Sequence, residues 1–147
     1  MADASAETPR GCQVQLKDQV ALVTGASRGI GRAIAEKLAA CGATVIGVAR
    51  SLDALQGTLE SIRNAGGTAE GFACNVADSA DVNRVVEEVE AKYPKIHILV
   101  NNAGITRDNL ILRMEDDAWQ DVIDTNLKGT FLFCRVVGAN MLRGRYG

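Results

Sequence analysis

Apolar runs of strand length alternate along this chain with longer segments of helical period, and each switch is marked by Gly, Asn, Asp or Ser. Few patterns restrict a fold as strongly, because the alternation is that of repeated βαβ units and hence of a parallel sheet. The first run, Val20, Ala21, Leu22 and Val23, is continuously apolar, as a central strand covered on both faces must be. From Gly29 the period changes. Ile30, Ala33, Ile34 and Leu38 recur at helical spacing and predict the packed face, Glu36 and Lys37 point outward, and Gly42 supplies a stop. The same reading places strands over 44–48, 68–74 and 96–100, helices over 52–65 and from Asp78 or Ser79 to Ala91, and one long helix over 116–143. That last helix carries a stripe of Trp119, Val122, Ile123, Asn126, Leu127, Thr130, Phe131, Cys134, Val137 and Met141. Residues 1–16 read as a flexible leader and 17–147 as one wound domain.

The residues that carry chemistry follow the predicted strands. Directly after the first comes Thr24-Gly25-Ala26-Ser27-Arg28-Gly29-Ile30-Gly31, a glycine-rich turn that opens a helix. Without Cβ atoms the backbone can approach a pyrophosphate, whose charge the free N–H groups and the helix dipole stabilise. The spacing G-x-x-x-G-x-G lacks the Gly-Lys-Ser/Thr ending of a nucleotide-hydrolysing loop, so it points to a dinucleotide. At the end of strand two, an acid would bond the ribose hydroxyl of NAD(H); here the residue is Arg50. A guanidinium pairs instead with a 2′-phosphate, and Arg28 can join it, so NADP(H) is expected unless both are simply solvated arginines. Asn75 and Val76 after strand three are placed to bracket an adenine. Asn102, Ala103 and Gly104 after strand four are placed to line the cofactor, the alternative being a plain asparagine turn. Asn126 is a polar residue on an apolar stripe, which must bond backbone or serve a site. His97, the one histidine, reads as packed or satisfied at the rim of strand four.

Composition removes other classes. Sixteen Lys and Arg against eighteen Asp and Glu give a net charge of −2, a poor field for nucleic acid. No run approaches the roughly 20 apolar residues that cross a bilayer. Cys12, Cys41, Cys74 and Cys134 are scattered, with no C-x-x-C and no Cys/His cluster, so no metal site is expected. The apolar settings of Cys41, Cys74 and Cys134 suggest reduced thiols and a cytoplasmic location.

Thr24-Gly25-x-x-x-Gly29-x-Gly31, Asn101-Asn102-Ala103-Gly104 and Asp124-Thr125-Asn126-Leu127-Lys128-Gly129, in this order, resemble the short-chain dehydrogenase/reductase family. The stretch NNAGITRDNLILRM over 101–114 is most similar to the 3-oxoacyl-[acyl-carrier-protein] reductases of fatty-acid synthesis. The resemblance implies a Rossmann-type, doubly wound α/β fold with four strands in the order 3-2-1-4. It implies NADP(H) at Gly25, Ala26, Ser27, Arg28, Gly29, Ile30, Gly31, Arg50, Asn75, Val76, Asn102, Ala103 and Gly104, and Asn126 as the catalytic asparagine that helps hold a proton-relaying water. It further implies an acyl-carrier-bound 3-oxoacyl thioester as substrate and a homo-oligomer, a tetramer, with the last helix in its interface. The family's catalytic Ser and Tyr-x-x-x-Lys have no counterpart: Tyr93 is followed four residues on by His97, and Tyr146 stands one residue from the end. The 147 residues are therefore expected to be the first part of a longer reductase, nearly inactive alone. The alternatives are a non-catalytic NADP-binding or assembly module and a reductase of another carbonyl substrate.

Overall fold

The computed structural model describes residues 14–147. Its elements run β1 (Val20–Thr24), α1 (Gly29–Ala40), β2 (Thr44–Ala49), α2 (Leu52–Asn64), β3 (Thr68–Ala73), α3 (Ser79–Lys92), β4 (Ile98–Val100), a 3-10 turn (Ile111–Arg113), α4 (Asp116–Val122), a π-helical segment (Ile123–Lys128) and α5 (Gly129–Gly144). The strands form one parallel sheet in the order β3-β2-β1-β4. This is the doubly wound α/β arrangement that the alternation predicts. Most of the leader expected over 1–16 lies outside the described residues; of its end, the Leu16 N–H donates to the Cys41 carbonyl at 2.8 Å.

Because successive strand side chains point to opposite faces, each strand feeds two cores. Leu22, Ile46, Val48 and Phe72 pack with Val82, Val85, Val86 and Val89 of α3 and Leu132, Phe133 and Val137 of α5. Val23, Val45 and Ala69 pack with Ala35 and Ala39 of α1 and Leu55, Leu59 and Ile62 of α2. Residues such as Leu22, Ile46 and Val23 are wholly buried, each contributing about 1.5–3 kcal/mol of burial free energy. With both faces covered, the interiors of β1 and β2 are apolar, and threonine stands only at their ends, as Thr24 and Thr44.

Four expectations are corrected. The packed face of α1 is Gly31, Ala35 and Ala39, while Ile30 is 75% exposed, Ala33 is exposed, and Ile34 and Leu38 are half-buried. Small residues win because α1 lies close to the first turn, leaving no room for larger ones. β4 is three residues long rather than five: the Ile96 N–H donates to Asn140 Oδ1 on α5, and the ladder with β1 begins at Ile98 opposite Ala21. The long helix over 116–143 is interrupted by the π-helical segment, whose wider turn rotates everything after it. As a result Phe131 and Cys134 of the predicted stripe stay exposed, and α5 buries Leu132, Phe133, Val137 and Asn140 against the sheet and α3; Leu127 within the segment and Trp119 ahead of it are exposed as well. Lastly, Cys41 is disulfide-bonded, whereas Cys74 and Cys134 are free. Cys41 is buried at the turn that follows α1 and meets Leu16.

Candidate functional site

The carboxyl ends of all four strands open on the same edge, and the residues singled out in the sequence follow them: Gly25 after β1, Arg50 after β2, Asn75 after β3 and Asn102 after β4. Strand order reverses between β1 and β4, the place where an open α/β sheet leaves a crevice for a ligand. The glycine turn there is fixed from several sides. Gly25 has a φ of +67°, and a Cβ on it would stand 2.9 Å from Ala103 Cα. A Cβ on Gly31 would stand 2.1 Å from the Gly25 carbonyl oxygen and 2.4 Å from Asn102 Nδ2. No side chain meets the space beside Gly29, so the helix opens there unobstructed.

Two side chains staple this turn to β4. Thr24 is 1% exposed, and its hydroxyl accepts the N–H groups of Asn102 and Ala103, both at 3.0 Å, and approaches the Val100 carbonyl at 3.4 Å. Asn102 Nδ2 donates to the Thr24 and Gly25 carbonyls, both at 3.2 Å. Thr24 stands in the motif, yet its stapling role is invisible from spacing. The available signal is a polar residue ending a strand with no wet face.

On the other side of the turn, Ser27 and Arg28 join Ala49, Arg50, Ser51 and Ala54 around an open cleft of about 460 Å³. Arg28 is the N-cap of α1 and makes no side-chain cap, and the first turn of α1 holds no acid. The α1 N–H groups are thus left for an anion. Neither the Arg28 nor the Arg50 side chain has an ion-pair or hydrogen-bond partner among the described residues, so two guanidinium groups flank the cleft uncompensated. Ser51 caps α2 by accepting the Ala54 N–H at 3.3 Å. The residues fit a phosphorylated ligand: bare positive charge, exposed N–H groups and a backbone without Cβ obstruction.

Asn75 and Val76 sit apart from this cleft. Asn75 lines a second hollow of about 350 Å³ with Asp78, Ala80, Asp81 and Arg84. Its N–H donates to Asp81 Oδ2 at 2.7 Å and its Oδ1 accepts the Ala77 N–H at 3.1 Å. That backbone bond, followed by Arg84, holds the Asp81 carboxyl below its ordinary pKa. Nothing in the sequence reading marked Asp81, although an acid in the first turn of a helix after an asparagine turn is a recognisable cap. Val76 packs toward α5, where a Cβ on Gly129 would stand 3.1 Å from its Cγ2.

Asn126 lies in the π-helical segment and is exposed. Its Oδ1 accepts the Ile105 N–H at 2.8 Å and its Nδ2 donates to the Ile105 carbonyl at 3.0 Å, so the amide is partnered by backbone. Thr130 donates to the Asn126 carbonyl, which the widened turn leaves open. A Cβ on Gly104 would stand 3.3 Å from Asn126 Oδ1, which brings the asparagine over the end of β4. The two tyrosines are engaged elsewhere. Tyr93 donates to Glu70 Oε2, burial pushing its phenol up, and Tyr146 donates to Asn140 Oδ1. His97 is satisfied as expected, its Nδ1 accepting the Val20 N–H at 3.1 Å.

A doubly wound parallel sheet with a glycine turn and an anion-ready cleft at its strand ends defines a dinucleotide-binding α/β protein. The chain belongs to the short-chain dehydrogenase family, whose model matches residues 19–147. It is 47% identical over 134 residues to the 3-oxoacyl-[acyl-carrier-protein] reductase FabG of Escherichia coli, covering 91% of this chain and 54% of that protein. It is likewise 47% identical over 128 residues to the FabG of Staphylococcus aureus, covering 86% of this chain and 52% of the relative. Among solved structures, a metagenomic short-chain oxidoreductase in complex with NADP aligns at a TM-score of 0.87 and 38% identity, over 90% of this chain and 60% of that one. A short-chain dehydrogenase/reductase from Mycobacterium marinum aligns at 0.88 and 34% identity, over 90% and 54%. The chain thus spans about half the length of the curated relatives it matches.

Proposed function

We propose that this chain supplies the cofactor half of an NADPH-dependent reductase that converts a 3-oxoacyl thioester on an acyl carrier protein to the 3-hydroxyacyl form. The observation that carries the cofactor reading is the pair Arg28 and Arg50, uncompensated on either side of the cleft where NAD(H) would call for an acid. The substrate reading rests on the relatives at 47% identity, which are named for that reaction. When bound, the nicotinamide supplies a hydride. This chain's own residues do the holding: the α1 N–H groups and Gly25 to Gly31 take the phosphates, Arg28 and Arg50 the 2′-phosphate, and Asn75-Val76 the adenine. Asn102, Ala103 and Gly104 take the nicotinamide end. Asn126, held over Gly104 by Ile105, is the active-site asparagine.

Reduction of a carbonyl also requires a positioned acid, worth roughly 10²- to 10⁴-fold in rate. Tyr93 and Tyr146 donate to Glu70 and Asn140, away from Asn126, and the 147 residues contain no Tyr-x-x-x-Lys. The acid therefore belongs to the part of the relatives that this chain does not match. The exposed Trp119, Leu127 and Phe131 support a homo-oligomer, a tetramer by family resemblance. No helix among the described residues is long and apolar enough to cross a membrane. The cytoplasm is proposed from the substrate class alone, since the disulfide at Cys41 removes the thiol argument.

The test has two parts. The chain is titrated with NADPH and NADH, and Arg50→Asp is expected to abolish a preference for NADPH; equal affinities in the wild type refute the phosphate reading. The chain is then joined to the C-terminal half of the Escherichia coli relative and assayed for NADPH oxidation with a 3-oxoacyl thioester. Absence of turnover in a folded chimaera that binds NADPH favours the non-catalytic module, and turnover only with another ketone favours a different carbonyl substrate.

A further inference from the structure

The phosphate cleft has a support that its lining does not include. Thr58 lies on the second turn of α2, one of the stripe Leu55, Thr58, Leu59 and Ile62 that faces inward. It is 1% exposed. Its hydroxyl is 2.9 Å from the Ala26 carbonyl oxygen and 3.4 Å from that of Ser27. Two successive carbonyls of the glycine turn are thus drawn toward a single hydroxyl on a neighbouring helix. Each trans peptide is planar with its C=O and N–H opposed. Turning the Ala26 and Ser27 carbonyls toward α2 therefore turns the Ser27 and Arg28 N–H groups away from it. Ser27 and Arg28 are also the two turn residues that line the cleft with Arg50 and Ser51.

We infer that Thr58 is a positioning residue that orients the Ser27 and Arg28 N–H groups toward the phosphate on the adenosine side of the cofactor. The inference rests on the NADP(H) reading of the cleft. Thr58 does not line the cleft; it acts through the two carbonyls. The same helix is capped by Ser51, next to Arg50, so one rigid element sets both the backbone donors of one wall and the arginine of the other. A valine in place of Thr58 preserves shape and removes the one O–H, leaving the two carbonyls without it and the peptide planes free to rotate.

The experiment compares wild type, Thr58→Val and Thr58→Ser by binding of adenosine 2′,5′-bisphosphate and of AMP, which differ only by the 2′-phosphate. It adds amide hydrogen exchange at Ser27 and Arg28 without ligand. Thr58→Val is expected to weaken the bisphosphate about tenfold and AMP far less, and to speed exchange at both amides. Thr58→Ser, which keeps the hydroxyl, restores both. Equal weakening of the two nucleotides, or no weakening with only a lowered Tm, overturns the inference and leaves Thr58 as a buried polar residue of the core. If wild type shows no preference for the bisphosphate, the cofactor reading fails instead. The inference is then judged on exchange alone, and unchanged Ser27 and Arg28 amides in Thr58→Val refute it. Should Thr58→Val not fold, Thr58→Ser still decides, because loss of the bisphosphate preference with the hydroxyl retained contradicts the proposed role.

Discussion

Gly31 and Gly138 are both helical glycines, and the same substitution at the two should move stability in opposite directions. By helix propensity alone, Gly→Ala gains about 0.5–1 kcal/mol at either position. At Gly138 on α5 nothing stands within 4 Å of the added methyl, so the propensity gain survives. At Gly31 the methyl falls 2.1 Å from the Gly25 carbonyl oxygen, 2.8 Å from its carbon and 2.4 Å from Asn102 Nδ2. The colliding carbonyl is backbone, and it is the acceptor of the Asn102 amide, so relief of the clash loosens the turn from β4. Overpacking costs about 1–3 kcal/mol and a lost hydrogen bond about 1, which leaves a net loss of about 1–3.5 kcal/mol after the propensity gain. Urea unfolding followed by far-UV circular dichroism reads this directly. With a slope of about 1–3 kcal/mol/M, Gly31→Ala should lower the midpoint by about 1 M and Gly138→Ala raise it by a few tenths. A Gly31→Ala midpoint at or above wild type would falsify the packing argument, and so would a loss at Gly138.

Three further outcomes are expected. Asn140 is buried, accepts the Ile96 N–H at 3.2 Å and donates to the Pro94 carbonyl at 3.2 Å, so Asn140→Ala should cost about 1–3 kcal/mol by leaving the Ile96 donor unpaired; an unchanged urea midpoint would contradict this. Burial pushes the Cys74 thiol up to about 12, so its protonated form is the one the fold favours. That contribution is intact below pH 9 and lost as pH rises toward 12. In native protein at pH 8, iodoacetamide followed by intact mass should modify Cys134 and spare Cys74; equal labelling rates would rule the shift out. The Asp81 carboxyl is held low by the Asn75 N–H and Arg84, so its stabilisation is present above the ordinary carboxylate value and lost as pH falls below it. Asp81→Asn should flatten the acid limb of the stability profile between pH 5 and pH 3, by about a few tenths of a kcal/mol for a half-buried group at the surface, and an unaltered limb would contradict the lowered carboxyl.

Much of this molecule is legible in one dimension because its strongest signals are local. A strand buried on both faces has to be spelled in apolar residues, as Val20 to Val23 are, and a turn held at positive φ or pressed against other backbone has to lack side chains, as at Gly25, Gly29 and Gly31. Such rules fix the order of strands and helices, the glycine turn, and Arg50 at the end of β2 without any knowledge of neighbours. Which face of a helix is covered is not local. It depends on how closely the helix approaches the sheet and on its phase, and here both depart from the apolar count. The closeness of α1 selects Gly31, Ala35 and Ala39 over Ile30 and Ala33, and the π-helical segment swings α5 so that Phe133 is buried and Phe131 exposed. The same holds for polar side chains whose partners are remote in sequence. Thr24 reaches Asn102, Thr58 reaches Ala26, and Asn140 reaches Ile96, at separations of 78, 32 and 44 residues. A hydroxyl or amide can be read as needing a partner, but only the tertiary structure decides which carbonyl or N–H it meets, because that meeting is made by the sheet that brings both segments together.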